Sequence, residues 1–397
     1  MFNKIKKLVA TLLVTIIFLT VIPFMANAEV SSNEVNTEVN SNEVNIAKYA
    51  ISFINTICGE ANVEAGEVIA ILNEDDALSG YCVNIMDNGK PNGYVVVKFS
   101  ENEPVVSEYC IEPGVENPYM EIMKRSDITK REDTVFYSIG PNEYHIYVPK
   151  EEVFVGFSEV IPAMKFEEYK MQVKYYKDEI SKQSTSLSSS SSELGQLDRN
   201  ITYSSLDAYT VVSDTYEGSI KSGDIITGAT GITYYGTSAV SSANKTYGCS
   251  VVALSNMMKY YRSREKTNID SDFSTLYSAL WVLADTNSKG STPIRSIAPA
   301  AVSYMKIKNY SISSDGYLLN LYSDFTRDIR NDKPIIFSYG ADYEGEPVGH
   351  TVFCVGYVDT TSYQYLRIAD GWNTYLRYIN FNGYNYNRKN GWSFTAP

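Results

Sequence analysis

An α+β fold divided into two units is what this sequence predicts, and three observations carry the prediction. The chain has 397 residues, more than one ordinary domain holds. Strand-like and helix-like segments both recur along it, and a serine-dominated break separates them into two stretches. Charge is also unevenly placed. From Ile201 onward 17 basic residues balance 17 acidic ones, so the preceding part carries the whole net charge of −13. An acidic front unit on a neutral back unit suggests two jobs.

The elements follow in chain order. Lys4, Lys6 and Lys7 precede an apolar run from Leu8 to Phe24, and Ala26-Asn27-Ala28 supplies small residues at a cleavage site. This is the three-part pattern of a secretory signal peptide over 1–28; the competing reading is an uncleaved anchor. No later segment approaches the roughly 20 apolar residues of a membrane span. Secretion to the extracellular space, with no membrane attachment after signal cleavage, is the expectation. A polar stretch over 29–45, without apolar periodicity, reads as a disordered leader.

The front unit is expected over 46–181. Ile46, Tyr49, Ile51, Phe53, Ile54 and Ile57 have the spacing of a short amphipathic helix. Asn88-Gly89 is a turn dipeptide, and Gly93 to Phe99 is β-branched and aromatic, as a strand requires. Further strands are expected at Val105-Val106, Tyr109 to Ile111, Tyr144 to Val148 and Val153 to Val155, and a helix-rich segment at 162–180. The Ser-rich stretch over 182–200 reads as a flexible linker, the kind of exposed segment that proteases cut. The back unit, 201–397, is long enough to bury a substantial core.

Tyr247-Gly248-Cys249 opens the most informative segment. From Cys249 the chain reads as a helix with Val251, Val252, Leu254, Met258 and Tyr261 on its apolar stripe and Lys259, Arg262 and Arg264 toward its end. Cys249 therefore falls at a helix N-terminus, where free N–H groups and the dipole favour a thiolate. Gly248 gives the chain room to turn. The competing reading of Cys249 is a structural cysteine at a helix start. Gly349 to Tyr357 alternates as a strand and opens with His350, one of two histidines in the chain. Imidazole has the pKa a base for a thiol needs; His145, within a front-unit strand, reads as an ordinary structural histidine. Tyr365 to Ala369 is a second strand that delivers Asp370 beside His350 after a short turn at 359–362. A carboxylate there is placed to bind the imidazole N–H and fix its tautomer, with Trp372 as its shield from water. The bland alternative is that Asp370-Gly371 simply makes a turn.

These pieces together resemble the papain-like cysteine peptidases, closest to their bacterial streptopain-like and double-glycine (bacteriocin-processing) peptidase-like branches. Tyr247 to Tyr261 looks like the Cys-bearing helix, Lys333-Pro334-Ile335-Ile336 the strand before the His loop, and Gly349 to Tyr357 the His strand. Asp370-Gly371-Trp372 takes the place of the Asn-x-Trp or Asp element, and the order Cys, His, Asp agrees. The resemblance implies an α+β papain-like domain, with a helix bearing the cysteine and an antiparallel sheet bearing the histidine and aspartate. It implies catalytic roles for Cys249, His350 and Asp370 in hydrolysis of a peptide or protein substrate, by a monomer without metal or organic cofactor. In the front unit, Asn92 to Val97 followed by Pro104 to Tyr109 is similar to the prodomain of streptopain-like zymogens. That likeness implies a smaller α+β prodomain acting as an intramolecular inhibitor. One position departs from the pattern: where the family carries an oxyanion Gln about six residues before the cysteine, this chain has Ala243. Asn244 is the candidate substitute, together with the N–H of Cys249, and losing such a donor costs about 10²–10³ in rate.

Composition narrows the classes further. Neither unit carries a basic patch, which argues against nucleic-acid binding. Two histidines, and no close cluster among Cys58, Cys82 and Cys110, argue against a zinc site. Five cysteines leave at least one thiol unpaired. Two other readings remain: a cysteine amidase or peptidoglycan hydrolase with the same triad, and a catalytically inactive secreted binding protein of the same fold.

Overall fold

The computed structural model describes residues 35–397 apart from 60–61, 129–133, 141, 158–159, 172, 175–200, 202, 208–209, 211, 241–247, 344–345 and 384–387. The expected signal peptide over 1–28, the linker over 182–200 and the candidate oxyanion donor Asn244 lie outside the described residues. The leader expected to be disordered over 29–45 is helical from Val35 onward, as the start of helix α1 (Val35–Cys58). The polar residues there lack an apolar face of their own, and it is the tertiary anchoring of Ile46, Tyr49, Phe53 and Ile54 further on that holds the helix.

Residues Val44–Pro397 make one compact unit. The front strands β1 (Glu64–Leu72), β2 (Leu78–Asp87), β3 (Lys90–Ser100) and β4 (Glu103–Cys110) form an antiparallel meander. Asn88 and Gly89 both take positive φ between the paired Asp87 and Lys90, the two-residue hairpin that the dipeptide predicts. Side chains alternate with period two. Tyr81, Val83, Ile85, Val95, Val97 and Phe99 pack with Phe53 and Ile54 of α1 on one face. Cys82, Tyr94, Val96 and Cys110 pack on the other, with Tyr119 and Ile122 of helix α2 (Pro118–Arg125). Because both faces are covered, Tyr81–Val83 and Tyr94–Val97 read as unbroken apolar runs. The strands β5 (Val135–Gly140), β6 (Glu143–Val148), β7 (Val153–Val155) and β8 (Val160–Pro162) continue the sheet beyond β1, and residues 163–171 are helical.

The back part contributes β9 (Ile220–Ile225), β10 (Ser313–Gly316), β11 (Ile335–Tyr343), β12 (Glu346–Thr360), β13 (Gln364–Ala369), β14 (Arg377–Asn380) and β15 (Arg388–Thr395). Its helices are α3 (Cys249–Ser263), α4 (Phe273–Leu283), α5 (Ile294–Ile307) and α6 (Tyr322–Arg330). Helix α3 is buried nearly all round: Val251, Val252, Leu254, Met257 and Met258 share a core with Leu276 and Leu280 of α4 and with Val352 and Phe353 of β12. The fold is the mixed α+β arrangement expected, with the cysteine on a helix and the histidine on an antiparallel strand.

One feature joins the two parts. Strand β14 pairs antiparallel with β4, Tyr378 opposite Tyr109 and Ile379 opposite Glu108, so the front meander and the back sheet are a single sheet. Leu206, Val212, Tyr216 and Tyr365 complete the core under α1. The Phe53 ring meets Tyr109, Tyr216 and Tyr365 edge-on at 5.0, 5.1 and 5.8 Å, contacts worth about 0.5–1.5 kcal/mol each. Among the described residues no helix is long and apolar enough to cross a membrane.

Candidate active site

Cys249 is the first residue of α3, partly exposed, with Gly248 as its N-cap. No side chain caps this end, so the first N–H groups of the helix stay available to a bound anion. A methyl group on Gly248 would collide with the Tyr277 hydroxyl of α4, which is why glycine is needed at the turn into the helix. His350 lies in β12 opposite Tyr339 of β11, and the ring is buried. Its Nε2–H donates to the main-chain carbonyl of Asp370 at 2.6 Å. That acceptor fixes the tautomer and leaves Nδ1 for the sulfur of Cys249.

The electrostatics of the pair follow from this contact. Burial pushes the Cys249 thiol up, but the hydrogen bond and charge of His350, with the Thr351 N–H and the Ser250 hydroxyl, outweigh it and bring the thiol below its ordinary value. Burial pushes His350 down, and its hydrogen bond to Cys249, the Cys249 charge and the carboxylate and carbonyl of Asp370 outweigh that and raise it. Opposite displacements of this kind are those that favour a thiolate beside an imidazolium. Ser250 and Thr351 are tied together at 2.8 Å, and Thr351 donates to Ser338 at 3.1 Å, which locks the N-terminus of α3 onto β12 and β11.

Asp370 reaches the site as expected, with one correction: its carboxylate does not bind the imidazole. The chain turns sharply after β13, with Gly371 at φ +81°, and this turn points the carbonyl of Asp370 at His350. The side chain is turned away. Its Oδ1 accepts the N–H groups of Trp372 and Asn373 at 3.0 and 3.1 Å, and its Oδ2 pairs with Arg377 at 3.0 Å. Trp372 lies where a shield is wanted, its ring stacked on His350 at 4.8 Å with planes 9° apart. His145 is buried in the front part with its ring beside Phe166.

Residues that sequence reasoning missed come mainly from the front part. Phe157 stacks on Trp372 at 6.3 Å, and the Arg125 guanidinium donates to the Trp372 carbonyl and to Asn373 Oδ1, both at 3.2 Å. Glu108 of β4 pairs with Arg377 at 2.7 Å. No local motif announces them. The one legible signal was Glu108 itself, a charge among the apolar residues of a strand.

A thiol at a helix N-terminus, paired with a strand histidine, is the arrangement a cysteine peptidase requires. Residues 234–390 match the model of the Peptidase_C39 like family, a cysteine peptidase-type family, and the matched span includes Cys249, His350 and Asp370. No curated protein matches the chain.

Proposed function

We propose that the protein is a secreted cysteine peptidase that hydrolyses peptide bonds by acyl transfer, with Cys249 as nucleophile and His350 as acid and base. The observation that carries this reading is geometric: Cys249 opens a helix whose N-terminus no side chain caps, and His350, fixed through Nε2 by the Asp370 carbonyl, turns its other nitrogen to that sulfur. The thiolate attacks the substrate carbonyl carbon, and the oxyanion forms beside the N–H of Cys249. His350 gives the proton on Nδ1 to the departing amine, leaving a thioester on Cys249. His350 then takes a proton from water, the hydroxide attacks the thioester, and the acid product leaves as the sulfur recovers its charge. Asp370, through its carbonyl, keeps the ring in the tautomer both steps use. The front unit enters this reading as a propeptide-like part that covers the Trp372 side of the site, with processing in the linker over 182–200.

Intact mass of the chain from Glu29 onward, followed for hours beside Cys249→Ala, tests the reading. Wild type is expected to trim itself within the linker while the variant stays whole, or, after a trace of added protease, to cleave a peptide library that the variant leaves intact. Equal silence of both proteins contradicts it.

A further inference from the structure

Arg377 is among the largest fully buried side chains of the described residues, and its place is unusual. It lies on β14, between the site turn and the front sheet. One nitrogen, Nη1, pairs with Glu108 of β4 at 2.7 Å, and the other, Nη2, pairs with Asp370 at 3.0 Å; both Arg377 and Asp370 have no exposed surface. Glu108 is held in turn by the hydroxyls of Tyr94 and Tyr144. Tyr94, Tyr144 and Tyr375 turn their ring faces to the guanidinium at 5.7, 6.0 and 5.3 Å. The buried thiols of Cys82 and Cys110 also lie within reach of its charge.

Burying three charges carries a desolvation penalty that their mutual attraction has to offset. A hydrophobic trio of similar volume would hold the fold as well, so stability alone is a poor reason for this one. Geometry offers a better reason. The guanidinium is a rigid planar fork, so anchoring Nη1 on a clamped Glu108 fixes where Nη2 stands. That nitrogen stands 3.0 Å from Asp370 Oδ2 and attracts its carboxylate as an ion pair, Oδ1 of the same carboxylate accepts from the N–H groups of Trp372 and Asn373, and the turn so built presents the carbonyl and indole that orient His350. We propose that Glu108 and Arg377 are positioning residues for the Cys249–His350 pair, so that the front sheet is a working part of the catalytic centre as well as its cover. The proposal rests on the cysteine-peptidase reading above.

The test is the pH profile of Cys249 alkylation by iodoacetamide on the full chain, mapped by peptide mass, with the exposed Cys58 as reference within the same molecule. It needs no substrate. Glu108→Gln is expected to move the low-pH limb of the profile up by about one unit, which reads as roughly tenfold slower labelling of Cys249 at pH 6, with little change at pH 9 or at Cys58. Glu108→Asp, which keeps the charge, is expected to recover part of the loss. If thermal melting shows Glu108→Gln unfolded, the triple change Glu108→Gln, Arg377→Met and Asp370→Asn removes all three buried ions together, and the same displacement is expected. A folded variant of either kind with the wild-type profile overturns the proposal while leaving the peptidase reading intact. A wild-type Cys249 that labels at pH 6 no faster than Cys58 overturns the peptidase reading and the proposal with it.

Discussion

His350 is held by the main-chain carbonyl of Asp370, at 2.6 Å, while the carboxylate of the same residue faces Arg377. One residue thus serves the site twice, its backbone orienting the imidazole and its side chain building the turn that places the backbone. The consequences are separable by mutation.

Asp370→Asn keeps both the carbonyl and an oxygen that accepts from Trp372 and Asn373, whereas Asp370→Ala keeps the carbonyl alone. Asparagine is therefore expected to retain kcat within about tenfold, and alanine to lose about a hundredfold, the cost of a displacement of roughly 1 Å in a reacting group. Steady-state kinetics on a peptide substrate separate the two. A carboxylate acting directly on the imidazole would make both variants equally poor.

The raised pKa of His350 depends on its partner. Burial, the largest influence, lowers it, and the thiolate of Cys249 and the oxygens of Asp370 reverse the sign. Cys249→Ala removes the thiolate, so the imidazole is expected to titrate lower than in the wild type. The chain has two histidines, so NMR titration of the ring protons resolves both, and His145→Gln assigns them. The site that gains a proton at higher pH in the wild type than in Cys249→Ala is His350.

Gly248→Ala places a methyl against the Tyr277 hydroxyl. It is expected to cost about 1–3 kcal/mol in denaturant unfolding, the usual range for overpacking, and to slow alkylation of Cys249. Tyr277→Phe in the same chain is expected to restore part of both losses, a coupling that a double-mutant cycle measures.

A cut within 182–200 is expected to leave the two pieces together in size-exclusion chromatography. The chain beyond the linker is threaded into the front core. Ser204 N–H donates to Phe99 O at 2.7 Å, Leu206 N–H to Leu78 O at 2.8 Å, and Leu206, Val212 and Tyr216 pack beneath α1. Separation of the front piece without denaturant would contradict this arrangement.

Cys249, His350 and the Asp370-Gly371 turn were legible because each sits in a short segment whose own pattern sets its element: an apolar stripe after Cys249, alternation after His350, a glycine after Asp370. The Asn88-Gly89 hairpin was legible for the same reason. Which part of Asp370 faces the imidazole was not, since it depends on the twist of a turn rather than on residue type. The pairing of Glu108 with Arg377 was beyond reach because 269 positions separate them and only the β4–β14 pairing brings them together. The leader failed differently: Val35 to Asn45 has no apolar periodicity, and its helix is held from further along the chain.

The central claim is that Cys249 is a thiolate near neutral pH. Treating the native chain at pH 6 with less than one equivalent of iodoacetamide and locating the label by peptide mass tests it most directly. The prediction is that Cys249 is labelled first, ahead of the exposed Cys58, whose thiol burial of its surroundings raises, and ahead of the buried Cys82, Cys110 and Cys354. Label on Cys58 first, or spread by exposure alone, would contradict the account.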